Sequence, residues 1–231
     1  MNKIVFLCSG GGGNLKFIDK AIESRWLPEH QIVSVITDRE CAAGKYAQER
    51  GIPCECPDFS INSQHTLLDV LLFYKPNIVL TTVHRILSDR IVNEFRDCLL
   101  NLHYSLLPSF PGIPPSVSGK IGSRSVQAAI NYGACLTGAT VHHVNKTIDG
   151  GKPYVQIALP IHPNDTFGNL MNTVFRAGCI ALFIAVNSFD RKLDERNQSM
   201  VLQILGRDAL VNPGMLLPSG LWSESFWSSI K

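Results

Sequence analysis

Ile4-Val5-Phe6-Leu7-Cys8-Ser9-Gly10-Gly11-Gly12-Gly13-Asn14-Leu15 is the stretch on which the fold turns. An apolar run with no period-two alternation breaks into four glycines and resumes with helical spacing, which predicts a buried strand, a tight turn and a helix over Asn14–Ser24. The same alternation continues: strand Gln31–Thr37, helix Ala42–Arg50, helix Gln64–Tyr74, strand Asn77–Thr82, helix Ser88–Phe95 and strand Cys98–His103. Strands separated by helices imply an α/β protein whose mostly parallel, Rossmann-like sheet carries helices on both faces. Ligands of such sheets collect at the carboxyl ends of the strands.

Beyond His103 the pattern changes. Pro108 to Gly122 is rich in proline and glycine, and connections of this length are usually functional. A short helix at Ser125–Asn131, strands at Leu136–His143 and Tyr154–Ile161, and a long amphipathic helix at Thr166–Phe189 follow. The expected organisation is one domain over residues 1–190, with a phosphate-binding half (1–100), a catalytic half (101–190), and an irregular tail (191–231) packed on it. Trp222, Phe226 and Trp227 supply the tail's bulk.

With 45% hydrophobic and 17% charged residues in a chain of 231, disorder and low complexity are excluded and there is length enough for a substantial core. A formal net charge of +2 demands neither nucleic acid nor a membrane surface as partner. The seven cysteines lack a regular framework and read as buried, reduced thiols; Cys54-Glu55-Cys56 is too tight for a zinc clip, so no metal is expected. Five apolar residues after Lys3 make a strand rather than a signal peptide, and the nearest approach to a membrane span is Cys179–Val186. A cytoplasmic protein, monomeric or homodimeric, is the expectation.

Three constellations carry chemistry. Backbone N–H groups of Gly11, Gly12, Gly13 and Asn14 at a helix start favour an anion, although the dinucleotide fingerprint fails at Leu15 or Lys16 in its two frames. A turn that binds nothing has the same sequence. Asn101 and His103 project from the same side of a strand end, an amide donor beside a titratable ring, which suits an oxyanion as well as a histidine that merely closes the strand. Asp149 follows a turn, Asn145-Lys-Thr-Ile-Asp-Gly-Gly151, and is by itself an ordinary turn aspartate.

Four stretches together are more specific: Ser9–Leu15; Arg85-Ile-Leu-Ser88; Asn101-Leu-His-Tyr-Ser-Leu-Leu-Pro-Ser-Phe-Pro-Gly112; and Thr137-Gly-Ala-Thr-Val-His-His-Val144 leading to Ile148-Asp-Gly-Gly151. In order and spacing this set resembles the folate-dependent formyltransferases, most closely the branch acting on glycinamide ribonucleotide in purine biosynthesis. The resemblance implies a catalytic triad of Asn101, His103 and Asp149, and 10-formyltetrahydrofolate as co-substrate. It implies folate contacts at Arg85, Ile86, Leu87 and Val144, phosphate contacts at Gly11–Asn14, and a small-molecule amine as acceptor. His142 matches the family's Val-His position, while His143 faces the other side of its strand and reads as structural.

The departures concern the acceptor and the folate. Thr81-Thr82-Val83-His84 replaces an Ala-Gly-aromatic-Met motif, and Tyr104 replaces a proline. Gly13 replaces a serine, the flap Ile113–Ser118 lacks histidines, Arg176 stands where an acidic contact is usual, and Lys152 is extra. Alternatives within the same chemistry are a different amine, such as an amino sugar nucleotide, or transfer to water. The hydrolases of this kind carry an additional N-terminal regulatory domain, for which a first strand at Lys3 leaves no room. A folate- or nucleotide-binding module without catalysis is the alternative from another class.

Overall fold

The computed structural model describes residues 1–112, 124–189, 199–212, 214, 215 and 217–230. Residues 113–122 of the proline- and glycine-rich loop, including the expected flap, lie outside the described residues. The chain divides into two compact units, Met1–Ile91 with Met215–Lys231, and Val92–Gly214.

The first unit contains β1 (Asn2–Cys8), α1 (Gly13–Glu23), β2 (His30–Thr37), α2 (Ala42–Glu49), β3 (Cys54–Glu55), α3 (His65–Tyr74) and β4 (Ile78–Thr82). Its strands are parallel in the order β3-β2-β1-β4. Four consecutive residues of β1, Ile4 to Leu7, are fully buried, so both faces of that strand are covered, as a run without alternation requires. The C-terminal residues of this unit are ordered on it. Trp227, in α7 (Glu224–Ser229), stacks on Phe17 of α1 at 5.5 Å, and Phe226 meets the same ring edge-on at 5.7 Å, the two arrangements that aromatic pairs prefer.

In the second unit, entered through α4 (Asp89–Glu94), β5 (Leu99–His103), β6 (Leu136–His143) and β7 (Pro153–Pro160) pair antiparallel, and α5 (Arg124–Tyr132) precedes β6. The segment expected as irregular tail contains a hairpin, β8 (Met200–Ile204) and β9 (Arg207–Asn212), whose second strand continues the sheet beside β7. Its turn, Leu205-Gly206, has positive φ at both residues (49° and 76°), the geometry that joins twisted antiparallel strands in two residues. The α/β class with a parallel sheet holds, and the antiparallel second half adds to it.

α6 (Phe167–Ser188) starts where the Thr166 hydroxyl accepts from the Asn169 N–H at 3.3 Å, a side-chain cap for an otherwise unpaired donor. By length and composition this helix is apolar enough to cross a membrane, but 78% of its most apolar stretch is buried inside the fold. It packs against β6 and β7 as the core helix of its unit. Gly178 on this helix is closely approached. A Cβ there would lie 2.6 Å from the ring of Tyr104, so the unusual tyrosine after the catalytic-type histidine is a packing partner of α6.

Candidate active site

In the first unit, Gly12 adopts φ 73° and caps α1 without a side-chain hydrogen bond, and the first turn of α1 carries no acidic residue. The start of α1 thus carries no capping side chain or carboxylate at the positive end of its dipole, a setting that favours an anion. The Gly10 carbonyl accepts from Ala43 N–H at 3.0 Å, which fixes the loop against α2. Ser9 Oγ accepts from the His84 N–H at 2.9 Å, and Thr82 Oγ1 donates to the Leu7 carbonyl at 3.3 Å. The substituted residues 82 and 84 thus tie β4 to the base of the glycine loop. Burial, and then the charge of Arg39, hold the His84 ring below its ordinary pKa.

Arg85, Ile86 and Leu87 follow β4. Arg85 Nε and Arg39 share the carboxylate of Asp38 at 3.1 Å, and the Ile86 carbonyl accepts from Gln64 Nε2 at 2.8 Å. Leu87 is buried, whereas the Ile86 side chain is half exposed. Val144 belongs to the second unit, where its N–H donates to the Leu99 carbonyl at 3.0 Å.

Asn101, His103 and Asp149 come together within the second unit. His103 Nδ1 lies 3.2 Å from Asp149 Oδ2, and Asn101 Nδ2 donates to Asp149 Oδ1 at 3.4 Å. Asp149 reaches them because its turn is tightly made. Asn145 Oδ1 accepts from the Thr147 N–H at 2.9 Å, and Asn145 Nδ2 donates to the Gly150 carbonyl at 3.0 Å, the local bonding that makes asparagine a turn residue. The aspartate itself sits at φ 49°, a left-handed position that Asp tolerates better than most residues. The Gly112 N–H donates to Asp149 Oδ2 at 2.6 Å, and a Cβ on Gly112 would strike that same oxygen.

His142 is part of this cluster, although its sequence position alone gave it no role. It is the cross-strand partner of Asn101, and a register shift at Val141/His142 lies beside it. Its Nδ1 donates to the His143 carbonyl at 2.9 Å, and Nε2 lies 3.1 Å from Asn101 Nδ2. Nε2 also lies 3.5 Å from Asp149 Oδ1. His143 packs edge-on against Tyr154 at 5.5 Å, as a structural residue on the other face would.

Two further neighbours of His103 went unread in the sequence. The Phe110 carbonyl lies 2.9 Å from Nε2, and Ser125 Oγ lies 3.1 Å from it. The Ser105-Leu-Leu-Pro108 stretch explains how Phe110 is placed. Ser105, fully buried, donates to the Ser109 carbonyl at 2.6 Å, while Thr140 Oγ1 donates to the Ser105 carbonyl at 2.7 Å and Gln156 Nε2 to that of Leu107 at 3.0 Å.

Burial pushes the Asp149 carboxyl up, but His142, the charge of His103 and the Gly112 N–H together hold it below the usual carboxylate value. An ionised carboxylate orienting one imidazole, beside an amide donor on the same strand, is equipped to stabilise charge on an acyl oxygen and to move a proton. The formyl transferase family model matches residues 2–186. The chain belongs to that family. Among its relatives, phosphoribosylglycinamide formyltransferase of Haemophilus influenzae is 33% identical over 175 residues, covering 72% of this chain and 76% of that protein. The chloroplastic phosphoribosylglycinamide formyltransferase of Vigna unguiculata is 30% identical over 170 residues, which span 71% of this chain but 53% of the plant protein. The crystal structure of phosphoribosylglycinamide formyltransferase from Brucella melitensis superposes with a TM-score of 0.72 at 29% identity, covering 83% of this chain and 97% of that one. This chain thus spans about half the length of the plant relative and most of the bacterial ones.

Arg176, the expected charge reversal on the long helix, is 8% exposed. It is a buried residue of α6. All seven cysteines are free thiols, but contrary to the expectation only Cys8 and Cys179 are buried, while Cys56 and Cys135 are exposed; burial drives Cys8 and Cys179 well above the ordinary thiol range, consistent with inert core residues.

Proposed function

We propose that this formyl transferase family member moves a formyl group from 10-formyltetrahydrofolate to the primary amine of a small phosphorylated acceptor, with glycinamide ribonucleotide as the leading candidate. The observation that carries the reading is the contact of Asp149 with both His103, at 3.2 Å, and Asn101, at 3.4 Å. The donor set fits an acyl carbonyl: one amide, one imidazole, and a carboxylate that keeps the ring oriented. The half-exposed Ile86 offers apolar surface for a pterin, with Leu87 buried beside it.

The folate supplies an activated one-carbon carbonyl. As an amine attacks it, negative charge collects on the carbonyl oxygen, and Asn101 Nδ2 takes up that charge by exchanging its long contact to Asp149 for one to the oxyanion. His103, in its doubly protonated form, donates to the same oxygen through Nε2 once the Phe110 carbonyl is displaced. Asp149 stabilises that form and passes protons from the amine towards the departing nitrogen. The phosphate of the acceptor belongs at Gly11–Asn14. The small-molecule partner and a cytoplasmic setting are part of the same proposal.

Removing one such donor typically lowers turnover about 10²–10³-fold. Asn101→Ala and Asp149→Ala are each expected to do so, with circular dichroism unchanged. The check is tetrahydrofolate release followed spectroscopically, glycinamide ribonucleotide being the first acceptor. Near-wild-type turnover in either variant would overturn the assignment. Turnover with another amine, and none with glycinamide ribonucleotide, would change the acceptor and leave the mechanism standing.

A further inference from the structure

The formyl-transfer reading leaves Ser125 without a task. It is the second residue of the nine-residue helix α5, it is 6% exposed, and its hydroxyl lies 3.1 Å from His103 Nε2. The other nitrogen of that ring faces Asp149 at 3.2 Å. A hydroxyl on one side of an imidazole and a carboxylate on the other is the relation of nucleophile, base and orienting group that recurs on unrelated folds. Here the three come from a helix, a strand end and a turn. Asn101, two residues along β5 from the histidine, supplies an amide donor, and the first turn of α5 favours negative charge on the serine oxygen.

We propose that Ser125 is the nucleophile of a second activity at this site, the cleavage of small activated acyl esters, formyl esters first among them, through a serine ester. The proposal shares His103 and Asp149 with the reading above but needs neither folate nor an amine. Little of the cluster is exposed, which suits a one-carbon acyl group. In the first step Ser125 Oγ bonds to the acyl carbon and its proton passes to His103 Nε2. The bond to the leaving alkoxide or phenolate then breaks with its electron pair. In the second step a water oxygen bonds to the acyl carbon and gives a proton to the medium, the Ser125 ester bond breaks, and His103 returns its proton to Oγ. The sum is ester plus water giving acid plus alcohol.

Only the neutral ring, with its hydrogen on Nδ1 towards Asp149, can accept from the serine hydroxyl. The doubly protonated ring instead donates from Nε2 to the Phe110 carbonyl, 2.9 Å away. Asp149 faces this ring, and His142 faces Asp149 in turn from β6.

The test is p-nitrophenyl formate with the full chain. A burst of p-nitrophenolate equal to the enzyme is expected, and acid trapping should leave a mass increase of about 28 Da on the peptide that contains Ser125. Ser125→Ala should lower ester cleavage about 10²-fold or more and abolish the adduct. An unchanged burst in that variant, or an adduct on another residue, overturns the proposal. Ser125→Cys retains a nucleophile and should form a thioester at the same position, so it decides the matter even if the alanine variant does not fold. Formyl transfer to amines is followed in parallel on the unmodified chain. Loss of that arm alone counts against the proposed function, and loss of the ester arm alone counts against Ser125.

Discussion

Two glycine-bearing turns at strand ends are built in opposite ways in this molecule. In the β1–α1 loop the backbone conformation is the main feature: Gly12 takes a left-handed φ of 73° at the start of a helix, whose dipole favours an anion. In the β6–β7 turn the glycines present nothing themselves. Gly150 and Gly151 let the chain pass close to Thr147 and to the His143 carbonyl, so that the Asp149 side chain lands between two histidines. On the proposed function, the first turn would hold a charge shared by many ligands, and the second would position a particular reaction. Substitutions in the two turns should therefore fail differently.

The largest effect is expected at Gly151. A Cβ there would stand 1.6 Å from the His143 carbonyl oxygen and 3.3 Å from His142 Nδ1. Gly151→Ala must push away the carbonyl that fixes the His142 ring, and with it the partner of Asn101. A loss of about 3 kcal/mol or more in urea unfolding is expected, together with loss of formyl transfer. Full activity at wild-type stability would show that the turn does not set the site.

The same contrast decides what was legible in the sequence. The parallel first unit was readable because Ile4–Leu7 and Ile78–Leu80 are buried on both faces and so carry unbroken apolar runs. The β8–β9 hairpin was missed although β9 alternates buried and exposed residues, because Leu205 stands where an Asn or Asp would have announced the turn. Two-residue β3 is too short to leave a pattern. Asn101, His103 and Asp149 were legible through the resemblance, since no local rule joins Asn101 to a residue 48 positions away. The roles of His142, Ser125, the Phe110 carbonyl and the Gly112 N–H depend on how β5 registers with β6 and where α5 begins. Neither is written in local composition.

A smaller effect belongs to Gly12. Alanine there would bring a Cβ within 2.9 Å of the Ala43 Cα. It would also hold an unfavourable left-handed φ, at a cost of about 1–2 kcal/mol. The functional consequence should be confined to the anion. Gly12→Ala is expected to raise KM for a phosphorylated acceptor severalfold while kcat changes little, and to weaken stabilisation by inorganic phosphate in thermal unfolding. A collapse of kcat with KM preserved would mean that the loop acts on the reaction itself, and the division between the two turns would fail.

The smallest expected effect is the pH response of Asp149, because burial opposes the interactions that favour its charge. Its folded pKa lies below the ordinary value, so its ionised form contributes stability that is fully present above the unfolded pKa of about 3.9 and is lost as pH falls through the folded pKa. Comparing the chain with Asp149→Asn by denaturant unfolding, the difference in stability should shrink below about pH 4 and vanish in stronger acid. His103 and His142 both favour the ionised carboxylate, so Asp149→Asn in a His142→Gln background should show a weaker pH response than in the wild-type background. A difference that grows as pH falls would carry the opposite sign. It would mean that Asp149 is held by its neutral form, and that it does not serve as the anion orienting His103.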